Sequence, residues 1–119
     1  MNILLVDDDL FVRELLRDVL LSQGHFIFER ENGQLALDYI NSTIEGIDLI
    51  VSDINMPILN GVELAQSVRA LGKSTPIILI TAYASLKLID IARKLNITVL
   101  GKPINFSLLK QHVNKVELC

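Results

Sequence analysis

A chain of 119 residues, half of them hydrophobic, has room for one domain around a single core, is too short for a second core and is too apolar to be disordered. A net charge of −3 with no run of Lys or Arg leaves no electrostatic footprint for nucleic acid, so direct nucleic-acid binding is not expected. No apolar run approaches the roughly 20 residues of a membrane span, and Cys119, the only cysteine, excludes an internal disulfide and a thiolate metal cluster.

Met1 leads directly into Ile3-Leu4-Leu5-Val6 with no basic segment or apolar signal stretch, which reads as a cytoplasmic protein. The Asn-x-Ser/Thr triplets at Asn41, Asn96 and Asn105 are then chance matches. Residues 2–6 predict a buried strand, followed by Asp7, Asp8 and Asp9. From Leu10 to Gln23, apolar residues at Phe11, Leu15 and Val19 and at Val12, Leu16 and Leu20 have the i, i+4 spacing of a helix, which Asp9 can cap and Gly24 ends. His25 to Arg30 alternate weakly as a second strand. Asn32-Gly33 turns into a helix running to about Ile44, with Leu35, Ala36, Tyr39 and Ile40 on one face.

Leu49-Ile50-Val51 form a third strand that stops at Asp53, before the turn residues Asn55, Pro57, Asn60 and Gly61. Val62, Leu64, Ala65, Val68 and Leu71 line a third helix closed by Gly72. Ile77 to Ile80 are a fourth buried strand ending at Thr81-Ala82-Tyr83, and residues 84–95 a fourth helix. Ile97 to Leu100 are a fifth strand ending in Gly101-Lys102-Pro103, and Asn105 or Ser107 can cap a fifth helix carrying Leu109, Val113 and Val116.

Five near-continuous apolar strands alternating with five helices predict an α/β domain whose parallel sheet is covered on both faces. Right-handed crossovers put every strand's carboxyl end on one edge, which gathers Asp7, Asp8, Asp9, Asp53, Thr81 and Lys102, while Arg30 lies away from the centre. Two unit charges about 4 Å apart cost on the order of 4 kcal/mol at an effective dielectric of about 20. Such carboxylates repel or stay protonated unless a cation sits among them. Lys102 offsets one charge, and a hard divalent cation with oxygen ligands is the natural remainder. A carboxylate is also a nucleophile toward phosphorus, given a metal and a cation on the phosphoryl oxygens and a hydroxyl such as that of Thr81.

The acidic pair in Val6-Asp7-Asp8-Asp9, Asp53 followed by Met56-Pro57 and Gly61, Thr81-Ala82, and Lys102-Pro103 resemble, in this order and over the whole chain, the receiver domain of bacterial response regulators of two-component signalling. The resemblance implies a three-layer, doubly wound, flavodoxin-like (βα)5 domain over residues 1–119, with strand order 2-1-3-4-5. It implies that Asp53 accepts a phosphoryl group from a phosphohistidine on a sensor histidine kinase or histidine phosphotransfer protein. Asp8, Asp53 and the Asn55 backbone carbonyl would ligate Mg²⁺ or Mn²⁺, with Asp7 acting through water. Thr81 would move toward the phosphate and Lys102 pair with it, and a cis Lys102–Pro103 bond is in keeping with the resemblance. The protein is then no enzyme beyond its own phosphorylation and dephosphorylation, and is a monomer or a weak phosphorylation-dependent dimer that acts on an unknown output protein or domain.

Two departures from the family pattern stand out. Val99 occupies the place, three residues before the lysine, where the family usually has the Tyr or Phe that turns inward with the threonine; Tyr83 is the nearest aromatic that could substitute. Leu95-Asn96-Ile97-Thr98 lacks the Gly-Ala-Asp-Asp pattern of the winged-helix DNA-binding subfamily, which argues against that subfamily's dimer. Leu86 lies opposite Ala92 and Leu95 on its helix, so it is either a partner contact or an isolated exposed leucine.

Blander readings stand beside these. Asp53 could be a turn cap, Lys102 a surface lysine, and Asp9 is better read as an N-cap than as a metal ligand. His25 and His112 have no second ligand at metal spacing. Gly72-Lys73-Ser74 looks like the tail of a phosphate loop but has Ser67 where the earlier Gly belongs and precedes a strand. Three rival functions are weighed. A haloacid-dehalogenase-type phosphatase would need Thr where Phe11 stands; a flavodoxin would need a loop free of the acids that repel a flavin phosphate; an unphosphorylated receiver-like scaffold would leave the acidic cluster unexplained.

Overall fold

Strand-length apolar runs alternating with amphipathic stretches fold, in the computed structural model, as β1 (Asn2–Val6), α1 (Leu10–Ser22), β2 (Phe26–Arg30), α2 (Gly33–Ser42), β3 (Leu49–Asp53), α3 (Gly61–Ala70), β4 (Ile77–Thr81), α4 (Leu86–Leu95), β5 (Thr98–Gly101) and α5 (Phe106–Leu118). The structure describes residues 1–43 and 46–118; Ile44, where the sequence pattern places the end of the second helix, and Cys119 lie outside the described residues. The strands form one parallel sheet in the order β2-β1-β3-β4-β5.

Successive strand residues face opposite sides of the sheet, so each buried strand feeds two cores. Ile3, Leu5, Val51 and Ile80 pack against Leu16 and Leu20 of α1 and Leu109 and Val113 of α5. Leu4, Val6, Ile50 and Leu79 pack against Ala36 and Ile40 of α2 and Leu64, Ala65 and Val68 of α3, joined by Leu95 of α4 and Val99 of β5. This is the three-layer, doubly wound arrangement that the alternation of elements predicts.

The differences from the sequence pattern are local. Of the two apolar rows on α1, Val12, Leu16 and Leu20 face the sheet, whereas Phe11 and Leu15, one residue behind and so about 100° around the helix, are exposed. For the same reason Leu35 of α2 is exposed and Leu37 packs inward. Leu71 is exposed because it caps α3 just before the chain turns at Gly72, whose φ is +79°. β2 begins at Phe26 instead of His25, and β5 runs one residue later than its apolar run suggests. α4 begins at Leu86, since Ser85 takes the cap by accepting the Leu88 N–H. Asn105, not Ser107, caps α5, accepting from the Leu108 N–H at 3.0 Å. Arg69, which the sequence pattern does not single out, ties the ends of α3 and α4 by donating to the carbonyls of Thr75 and Leu95, each at 2.8 Å.

The β3–α3 connection is held from several sides. The Gly61 N–H donates to the Ile54 carbonyl at 2.9 Å, and Asn60 and Glu63 close a reciprocal capping box on α3. The Leu59 carbonyl accepts the Gly33 N–H, and the Leu59 N–H donates to the Pro57 carbonyl at 2.8 Å. That last bond makes a three-residue γ-turn centred on Ile58, which has φ +72° and is 77% exposed. Positive φ is an outlier for a β-branched residue.

With so little burial at stake, Ile58→Gly is expected to relieve ~1–2 kcal/mol of strain against ~0.5–1 kcal/mol of added chain entropy, raising Tm by a few degrees. A thermal melt of the variant beside the parent checks this, and an unchanged or lower Tm would count against strain at Ile58.

Candidate functional site

The carboxyl ends of β1, β3, β4 and β5 share one edge of the sheet, and the residues that end or follow these strands meet there. Asp53, the last residue of β3, is 6% exposed. Its Oδ1 accepts the Ile54 N–H at 3.0 Å and pairs with Lys102 Nζ, also at 3.0 Å. Behind it the main chain is tightly packed: a Cβ on Gly61 would run into the Asp53 carbonyl, so the chain passes there only as glycine.

Asp7 follows β1 and is 2% exposed. Its main-chain N–H donates to the Arg30 carbonyl, its Oδ1 accepts the Asp9 N–H at 2.9 Å, and its carbonyl accepts from Arg13 Nη1 at 2.6 Å. Asp8 is exposed, and oxygens of Asp7, Asp8 and Asp53 all lie within 4.8 Å of one another. Burial first, then the neighbouring charges of Asp53 and Asp8, push the Asp7 carboxyl up to about 6 against the opposing pull of the Asp9 N–H and Lys102. Asp9 stands apart from the cluster as the cap of α1, accepting from the N–H groups of Phe11 and Val12.

This donor set fits a small hard cation. It offers carboxylate oxygens from two strand ends and one lysine for three acids, and its most buried acid already resists ionising. The Asn55 carbonyl, in the loop after Asp53, accepts none of the backbone hydrogen bonds found among the described residues.

Thr81 ends β4 and is buried. Its Oγ1 donates to the Tyr83 carbonyl at 3.1 Å and accepts the Tyr83 N–H at 3.2 Å. Beside it, the Lys102 N–H donates to the Thr81 carbonyl at 2.8 Å, and the Lys102–Pro103 bond is cis. The structure thus brings Asp7, Asp8, Asp53, Thr81 and Lys102 to one corner. Tyr83 and Leu86 lie on the adjoining surface, 78% and 85% exposed. Val99 is partly buried on the second core, beside an open groove lined by Ile89, Ala92, Arg93 and Ile97. Lys73 lies in the loop before β4, at the strands' amino ends and so across the sheet from this site. Arg13 is the site neighbour that the sequence pattern passes over; the available signal was a lone arginine in the second turn after the acidic run.

The profile of the response regulator receiver domain matches residues 3–114, a span containing all of these positions. Sporulation initiation phosphotransferase F of Bacillus subtilis is 32% identical over 115 residues, which cover 96% of this chain and 91% of that protein. The sensor histidine kinase RcsC of Salmonella typhimurium is 35% identical over 112 residues, 93% of this chain but 12% of the kinase. Among solved structures, the chemotaxis protein CheY4 of Vibrio cholerae superposes with a TM-score of 0.86 at 29% identity, covering 97% of both chains. The fold, the acidic corner with its lysine and threonine, and these matches lead to one conclusion: this chain belongs to the response regulator receiver domain family of two-component systems.

Proposed function

We propose that this receiver is a phosphoacceptor in a two-component phosphorelay, with Asp53 as the residue phosphorylated. The observation that carries this reading is the buried Asp53 carboxylate, paired with Lys102 at 3.0 Å and set within 4.8 Å of two further acids. Both contacts of the carboxylate, from the Ile54 N–H and from Lys102, fall on Oδ1, which leaves the other oxygen without a protein donor among the described residues. That oxygen forms the new P–O bond as the N–P bond of a donor phosphohistidine breaks, the imidazole nitrogen keeping the electron pair. Asp8, Asp53 and the Asn55 carbonyl, with Asp7 through water, would hold a Mg²⁺ or Mn²⁺ ion, which when bound would supply charge neutralisation at the phosphoryl oxygens. Lys102 pairs with one of those oxygens, and Thr81 donates its hydroxyl to another.

The donor is a sensor histidine kinase or a histidine phosphotransfer protein, and the reaction takes place in the cytoplasm; among the described residues no helix is long and apolar enough to cross a membrane. The domain catalyses nothing beyond its own phosphorylation and dephosphorylation and leaves any contact with nucleic acid to another domain or protein. Thr81 has one hydroxyl proton, now directed at the Tyr83 carbonyl, so donating to phosphate releases that bond. Phosphorylation therefore biases the Thr81–Tyr83 turn toward a second state, and the surface around Tyr83 and Leu86 is read by an output partner or by a weakly associating second copy.

Intact mass after incubation with acetyl phosphate and MgCl₂ tests the chemistry. One added phosphoryl group that requires both the metal and Asp53, and is absent from Asp53→Ala, is the expected result; no gain even from a cognate phosphohistidine donor would favour an unphosphorylated scaffold.

The Asp7 carboxyl gives a pH dependence. Its folded value of about 6 lies above the ordinary 3.8, so its favourable contribution to the metal-free fold is complete below 3.8 and is lost as pH rises through 6. The loss is roughly 2–3 kcal/mol. Mg²⁺ requires the ionised cluster, so the rise in Tm on adding MgCl₂ is expected to be large at pH 7.5 and to shrink toward pH 5. A Mg²⁺-induced shift that is equal at both values would refute the role given to Asp7.

A further inference from the structure

Arg13 lies one turn into α1, and its guanidinium reaches back past the start of the helix. Nη1 donates to the main-chain carbonyl of Asp7 at 2.6 Å, while Nε pairs with Glu29 Oε1 at 3.1 Å. Arg17, one turn further on, holds the other Glu29 oxygen at 3.2 Å. The Arg13 side chain is 15% exposed, so this pairing is less screened than an ordinary surface ion pair. The Asp7 N–H is anchored as well, to the Arg30 carbonyl. Both main-chain groups of Asp7 are therefore fixed, one to β2 and the other to α1.

The Asp7 carbonyl belongs to the peptide that carries the Asp8 nitrogen. Because that unit is planar, a bond to its oxygen sets the direction in which Asp8 leaves the chain. Asp8 has little else to place it: its carboxylate is exposed and, among the described residues, makes no hydrogen bond or ion pair. Asp7 by contrast is steadied by the Asp9 N–H, and Asp53 by Lys102 and the Ile54 N–H. Of the three acids, Asp8 depends most on its backbone.

We propose that Arg13 is a positioning residue of the cation site. It orients the Asp7–Asp8 peptide so that the Asp8 carboxylate is presented to the ion, and Glu29, shared with Arg17, holds the guanidinium in place. The inference rests on the assignment of Asp8 as a cation ligand. A mere strut between α1 and β2 would affect stability and leave cation affinity alone, whereas a support behind a ligand affects affinity, typically by 10- to 100-fold.

The test is calorimetric titration of the metal-free chain with MgCl₂, for the parent, Asp8→Ala, Arg13→Ala, Arg13→Lys and Glu29→Gln, each also melted in EDTA. Arg13→Ala is expected to weaken Mg²⁺ binding on the order of tenfold, Arg13→Lys to recover part of it, and Glu29→Gln to weaken it less. The Glu29→Gln effect is expected to vanish when Arg13 is already alanine. With acetyl phosphate, the Mg²⁺ concentration for half-maximal phosphorylation rises while the rate at saturating Mg²⁺ is kept. If Arg13→Ala does not fold, Arg13→Lys and Glu29→Gln carry the comparison. Parent-like Mg²⁺ affinity in folded Arg13 and Glu29 variants overturns the proposal. A parent chain that fails to bind Mg²⁺, or an Asp8→Ala variant that binds it undiminished, overturns the cation-site assignment and this inference with it, a result distinct from unaffected Arg13 variants beside a defective Asp8→Ala.

Discussion

Oxygens of Asp7, Asp8 and Asp53 lie within 4.8 Å of one another, and one ammonium, that of Lys102, answers them at 3.0 Å. At an effective dielectric of about 20, each unscreened pair of like charges at such range costs on the order of 4 kcal/mol. That is a sizeable share of the ~5–15 kcal/mol by which domains are stable at all. The lysine offsets one acid, and Asp7, held back from ionising first by its burial and then by its charged neighbours, keeps its proton up to about 6. An arrangement this unfavourable persists because the parallel sheet leaves no alternative: β1 and β3 are hydrogen-bonded neighbours, so the acids that follow them are delivered together.

The main chain around the cluster is correspondingly over-determined. Gly61 passes against the Asp53 carbonyl where no side chain would fit, and Gly33 does the same against the Leu59 carbonyl. These close approaches, with the capping box of Asn60 and Glu63, hold the β3–α3 loop in a path that includes a γ-turn at a β-branched residue. Strain of this kind survives only where surrounding bonds outvote it. The same holds for Asp7, whose N–H, carbonyl and carboxylate each have a partner from a different residue. Rigidity at the acidic corner therefore comes from bonds made by neighbours that carry no chemistry themselves.

The architecture was legible in the sequence because a sheet covered on both faces writes its central strands as near-continuous apolar runs, and three of them stop at a chemistry-bearing residue: Val6 before Asp7, Ser52 before Asp53, Ile80 before Thr81. Asp53, Thr81 and Lys102 could thus be placed on one edge before any coordinates. What was not legible is what depends on rotation and distance. Two apolar rows on α1 look alike in sequence, and only packing reveals that Leu16 is inside and Phe11 outside. The caps at Ser85 and Asn105 depend on which oxygen reaches which N–H. The reach of Arg13 to the Asp7 carbonyl spans six positions and a change of element, and no periodicity records it.

Val99 raises the question of how a site without the family's usual ring at that place could signal to its surface. Part of the answer lies in Thr81, whose hydroxyl both donates to and accepts from the backbone of Tyr83. Two residues beyond Tyr83, Ser85 caps α4, and the first residue of that helix is the exposed Leu86. The path from the buried hydroxyl to an apolar surface is therefore five residues of continuous chain. A hydroxyl has one proton to give, so its allegiance to the Tyr83 carbonyl or to a phosphoryl oxygen is exclusive. On the phosphoacceptor reading proposed above, exclusivity of that kind supplies the two states of the surface through the backbone next to the site, without calling on a ring at Val99.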